Sequence, residues 1–121
     1  KKIKNKKWEA YVDSGREKTG LDVLTWSKKV QELGAGEILL TSMDKDGTKS
    51  GFDLDLLKSV TNILNIPVIA SGGVGNLNHF KDGVIIGGAS ALLAASVFHF
   101  NKFSISEVKE YLRKKGIKVR L

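Results

Sequence analysis

Two stretches carry residue types from which a binding site could be built. Ser71-Gly72-Gly73 follows the apolar run Val68-Ile69-Ala70, which Pro67 introduces. A run this short, bounded by Pro and Gly, reads as a buried strand. Small residues at its carboxyl end let bare backbone N–H groups approach a ligand, and such groups favour anions, phosphate above all. The alternative is a plain tight turn. The second stretch is Thr41-Ser42-Met43-Asp44-Lys45-Asp46-Gly47-Thr48. Asp44 and Asp46 are the best carboxylates in the chain for acid–base or hydroxyl-binding work. Asp-x-Asp-Gly is also ordinary loop composition, and no Glu follows at the spacing of a calcium loop. Thr41 could hydrogen-bond a substrate or satisfy backbone at a strand end.

Other candidates are weaker. Ala95-Ser96 ends another apolar run and could add N–H groups to the same kind of pocket. His79 and His99 have no second ligand at metal spacing, so no metal is expected. His99 lies between Phe98 and Phe100 and reads as a packed, hydrogen-bonded histidine. Glu37 opens an apolar strand; it should sit at the amino-terminal end of the sheet and needs a partner there.

These residues must be positioned by a regular scaffold. Trp8–Val12 reads as a strand ending in the turn Asp13-Ser14-Gly15, and Arg16–Gly20 as a polar loop. Asp22–Leu33 has helical spacing and Gly34 as a stop. Gly36–Met43 holds a buried strand around Ile38-Leu39-Leu40. Asp53 suits an N-cap for a helix over Leu54–Leu64. The strand Ile66–Ala70 follows, then a short helix from Asn76 through Phe80. Val84–Ala89 is interrupted by glycines. Ala91–Ala95 reads as a strand and Ser96–Phe100 as one helical turn. Ser104 and Glu107 form a capping box for a last helix from Ile105 to about Lys115, ended by Gly116. Continuous apolar strands alternating with helices argue for a parallel sheet covered by helices. In such sheets the ligand lies beyond the carboxyl ends of the strands. Small residues at consecutive strand ends, followed by an extra helical turn, fit the phosphate site of a (β/α)₈ barrel.

The bulk numbers set limits. At 121 residues the chain suits one small domain, and 41% hydrophobic content suffices for a core. There is no Cys, so no disulfide or thiolate metal site is expected. No apolar stretch has the length of a membrane span and no secretory leader is visible, so the expected location is cytoplasmic. Five of the +7 net charges sit in Lys1, Lys2, Lys4, Lys6 and Lys7, leaving +2 for the rest. A second basic cluster, Lys109 to Arg120, lies largely on an amphipathic helix with a single aromatic, Tyr111, among it. It reads as a solvated face rather than a nucleic-acid interface.

Three longer motifs carry a family resemblance. GAGEILLTSMDKDGTKSG (Gly34–Gly51), IPVIASGG (Ile66–Gly73) and ALLAASVFHF (Ala91–Phe100) closely resemble the cyclase subunit of imidazole glycerol phosphate synthase, a histidine-biosynthesis enzyme. The likeness runs from about Trp8 to Leu121. It implies an α/β fold: the carboxyl-terminal half of a (β/α)₈ TIM barrel, with the sixth to eighth strands and their helices, preceded by the extension after the fifth strand. Residues 1–121 would be one half-barrel unit, with a basic segment and loop over 1–20 and βα units over 21–121. The implied reaction is a lyase step. Ammonia from a glutaminase subunit, the heterodimer partner, attacks a phosphoribulosyl-formimino aminoimidazole carboxamide ribonucleotide, giving imidazole glycerol phosphate and aminoimidazole carboxamide ribotide. No cofactor is implied.

Carried over by motif, Gly47, Ser71, Gly72, Gly73, Ala95 and Ser96 look like the site for one substrate phosphate, and Asp46 like a supporting carboxylate. The resemblance puts Ser14 and Thr19 in the mobile strand–helix loop that the family folds near substrate, and Thr41 and Asp44 stand as substrate-contacting candidates from their residue types. Glu37 looks like part of the charged ring through which ammonia enters. The resemblance puts the family's two catalytic Asp in the first and fifth strands, outside this sequence, so the chain alone is expected to be inactive. A full barrel takes about 250 residues. The alternatives are a related phosphoribosyl isomerase of the same pathway, which shares the barrel and phosphate site, and a non-enzymatic phosphate-binding half-barrel.

Overall fold

The computed structural model describes residues 1–121. It contains two three-stranded sheets rather than one. The first is antiparallel: β1 (Lys2–Lys4), β2 (Lys7–Val12) and β3 (Glu17–Asp22), in that order. The second is parallel: β4 (Ile38–Thr41), β5 (Val68–Ser71) and β6 (Ala91–Leu93). Five helices accompany them: α1 (Val23–Glu32), α2 (Leu54–Ile63), α3 (Leu77–Ile85), α4 (Ser96–His99) and α5 (Ile105–Lys114). No helix is long and apolar enough to cross a membrane.

In the parallel sheet, Leu40, Ala70 and Leu92 are level across the strands, as are Thr41, Ser71 and Leu93. Side chains alternate between faces. Val68 and Ala70 therefore point to the face that the helices cover, and both are buried. α2 covers that face with Leu56, Leu57 and Val60, the last fully buried. Each such side chain contributes roughly 1.5–3 kcal/mol by leaving water. The opposite face has no helix over it: Leu39 is 55% exposed and Leu93 41%. This is the α/β architecture of an open segment of a βα barrel, with the would-be interior uncovered and no closure. The apolar runs suit burial on both faces, yet only one is covered here.

The helix ends follow local chemistry. Asp22, Asp53, Asn76 and Ser104 each accept a hydrogen bond from a first-turn N–H. Gly34 closes α1 at φ +103°, donating to the Gln31 carbonyl at 3.0 Å. Ser104 and Glu107 form the expected capping box.

Three expectations need correction. Arg16–Gly20 is not a loop, because most of it lies in β3, paired to β2 through Lys18 opposite Tyr11 and Glu17 opposite Val12. Cross-strand pairing overrides its polar composition. The basic segment itself holds a strand, since Lys2–Lys4 forms β1 and the N-terminal amine bonds the Glu9 carbonyl at 2.8 Å. The helix after Asn76 runs to Ile85 rather than stopping at Phe80. Gly83 is required inside it, because a Cβ there would lie 2.8 Å from the Phe52 ring. His99 is exposed at a helix end, edge-on to Phe100 with centroids 4.9 Å apart; its backbone N–H donates to the Ala95 carbonyl at 2.8 Å, and its ring makes no hydrogen bond.

Candidate functional site

The carboxyl tips of β4, β5 and β6 converge on a cleft of about 120 Å³. Asp46, Gly47, Ser71, Gly72, Gly73, Ala95 and Ser96 all line it, with Lys49, Val74, Leu93 and Ala94. Parallel register makes this possible: Thr41, Ser71 and Leu93 end their strands at one level, so the loops that follow start side by side.

Glycine holds those loops together. Gly72 and Gly73 adopt φ of +100° and +107°, where L side chains are strained. A Cβ on Gly73 would overlap the Gly51 carbonyl, which is close because Gly51 N–H donates to the Gly73 carbonyl at 2.7 Å. A Cβ on Gly75 would overlap the Lys49 carbonyl. The Asp44–Gly51 loop is thus docked, backbone to backbone, on the tip of β5. Its start is fixed as well. The Ser42 carbonyl accepts the N–H groups of Lys45 and Asp46, and the Ser42 hydroxyl donates to Asp53 at 3.0 Å, tying the tip of β4 to the cap of α2.

The N–H groups of Gly47, Gly72, Gly73, Val74, Ala94, Ala95 and Ser96 donate to no protein acceptor. Three of these residues, Gly72, Gly73 and Val74, are buried. Buried backbone donors are nearly always paired. A cluster of unpaired ones around a single cleft is a concave array of positive partial charge, suited to an anion with several acceptor oxygens.

The other predicted residues are more dispersed. Thr41 and Ser14 line a larger cavity of about 500 Å³ between β2, α1 and β4, and Asp46 borders both spaces. Asp44 lies on neither; its carboxylate accepts the Lys2 N–H at 2.6 Å. Thr19 is also off both: its hydroxyl donates to the Ala10 carbonyl at 2.6 Å and accepts the Leu21 N–H, bracing the hairpin. Glu37 is exposed just before β4, at the end of the sheet away from the cleft, and makes no ion pair. His79 caps α3, its Nδ1 accepting from Gly75 and Asn76 at 3.0 and 3.3 Å. No three His, Cys, Asp or Glu side chains form a group that could hold a metal.

A family profile described as "Histidine biosynthesis protein" matches residues 2–104. The chain belongs to the histidine biosynthesis protein family. The match spans both sheets and every residue of the cleft, so the antiparallel β1–β3 region is as much a part of the family's pattern as the parallel strands. Sequence reasoning missed three features of this family member's site: the bracing role of Ser42, the unpaired amides of Val74 and Ala94, and Lys49 on the cleft wall. Lys49 stands two residues beyond Gly47 in the same loop, a signal that was available.

Proposed function

We propose that the chain forms the carboxyl-terminal part of a cytoplasmic imidazole glycerol phosphate synthase cyclase and binds one of its substrate's two phosphates. The observation that carries this reading is the ring of unpaired N–H groups around the cleft at the strand tips. The phosphate oxygens accept from Gly47, Gly73, Ala95 and Ser96. Asp46, bordering both spaces, faces the remainder of the ribonucleotide and supports the chemistry there. Thr41 and Ser14 contact substrate from the larger cavity. Thr19 acts from within the hairpin, and Asp44 contacts substrate only once its bond to Lys2 opens. Glu37, at the far end of β4, belongs to the opening through which ammonia from the glutaminase partner arrives. The loop SMDKDGTKSG (Ser42–Gly51) supports the cyclase over the isomerase of the same pathway.

Two measurements test this. Titration with inorganic phosphate followed by ³¹P NMR should show saturable binding, and Ser96→Asp, which sets a carboxylate against the anion, should weaken it at least about tenfold. No saturation in the unaltered chain would overturn the phosphate site. The chain alone should turn over nothing with substrate and ammonium, and measurable turnover would refute the assignment of the catalytic Asp to another segment. Combined with a polypeptide that supplies the remaining strands, it should form imidazole glycerol phosphate; isomerisation of the ribonucleotide instead would favour the isomerase.

A further inference from the structure

The cleft wall holds one carboxylate, Asp46, and one cation, Lys49. The carboxylate opposes a phosphate dianion, and neutral N–H groups alone must overcome that repulsion. Lys49 makes no ion pair with any acidic residue. Its backbone lies at φ +58°, in the left-handed region. That region suits Gly and tolerates Asn, but it is sterically unfavourable for Lys. The same backbone occurs at Lys6, Asp13, Ser14 and Asn101, so this chain accommodates a lysine there at a steric cost. At position 49 a glycine would meet the backbone requirement at lower steric cost, so the backbone does not explain the lysine. Two nearby cations have other surroundings. The Lys102 ammonium bonds the Gly75 carbonyl and lies over the Phe103 ring, and Lys45 does not line the cleft.

From this we infer that Lys49 is a phosphate-positioning residue: its ammonium offsets Asp46 and favours the dianionic over the monoanionic form of the bound phosphate. The inference rests on the phosphate site proposed above. The loop's docking on Gly73 and Gly75 keeps the Lys49 backbone against the cleft without further ordering on binding.

The test compares Lys49→Gly, Lys49→Met and Lys49→Arg in the full chain, titrated with inorganic phosphate at low and high salt. Lys49→Gly should raise or preserve the urea midpoint, because strain is relieved, yet lose about tenfold in affinity. Lys49→Met should lose affinity similarly without the gain in stability, and Lys49→Arg should stay within about twofold of the unaltered chain. The salt dependence should flatten in the Gly and Met variants, and their preference for the dianion near the second phosphate ionisation should shrink. If the unaltered chain binds phosphate and Lys49→Gly binds it equally well with the same salt slope, the role of Lys49 is refuted while the cleft stands. If the unaltered chain does not bind, both fall.

Discussion

The two sheets have the same number of strands but draw on different sources of order. The parallel strands are short apolar runs pinned from one side by α2 and α3, and nearly all of the buried core lies beyond Gly51. The antiparallel strands bury only Trp8 among the core residues. They are held by turns and long-range polar bonds: Lys6, Asp13 and Ser14 in left-handed turns, Thr19 on the Ala10 carbonyl, and the Lys2 N–H on Asp44. The parallel sheet is therefore a packing structure, and the hairpin is a hydrogen-bonded structure attached by one aromatic anchor. The tight cleft belongs to the first; the larger, looser cavity lies between the two.

Substitutions can break this contrast. Phe80→Ala removes a ring that is 1% exposed and stacked at a tilt on Phe98. It should cost about 3–5 kcal/mol and lower the urea midpoint for both sheets together. Trp8→Ala should cost about 3 kcal/mol, with a different signature: amide exchange should accelerate across β1–β3 while β5 stays protected. Equal loss of protection in both sheets would abolish the distinction. Gly73→Ala forces a Cβ onto the Gly51 carbonyl and should cost about 2 kcal/mol, read as a lower thermal midpoint, with loss of phosphate binding. Asn76→Ala removes the cap of α3 and should cost about 1 kcal/mol by urea titration. Thr19→Ala should be the mildest, about 0.5–1 kcal/mol, visible mainly as faster exchange at Leu21.

The same contrast explains what was legible in the sequence. Parallel strands such as Ile38-Leu39-Leu40 and Val68-Ile69-Ala70 carry their burial in their composition, and caps such as Asp53 and Ser104 announce helix starts locally. The tips that follow them, Ser71-Gly72-Gly73 and Ala95-Ser96, were readable for the same reason, and the structure brings them to one cleft with Gly47. β3 was not readable, because Glu17-Lys18-Thr19-Gly20 is a strand only through pairing with β2. Asp44 looked free to meet a ligand because its partner, the Lys2 N–H, is 42 residues away. His99 looked packed because its phenylalanine neighbours are apolar, yet Phe100 is itself 72% exposed. The extension of α3 through Gly83 depends on the Phe52 ring seated against it, a contact between distant segments.

The parallel sheet has two unlike free edges, β4 on one side and β6 on the other. Identical copies could join like edge to like edge as an antiparallel two-fold pair, or head to tail, the β6 of one beside the β4 of the next, an arrangement that either closes into a ring or grows without limit. An eight-stranded cylinder cannot be tiled this way, since eight is not a multiple of three. Self-association at high concentration should therefore give two-fold pairs, polymers or an ill-fitting ring, and a closed eight-stranded cylinder calls for a complement of different length.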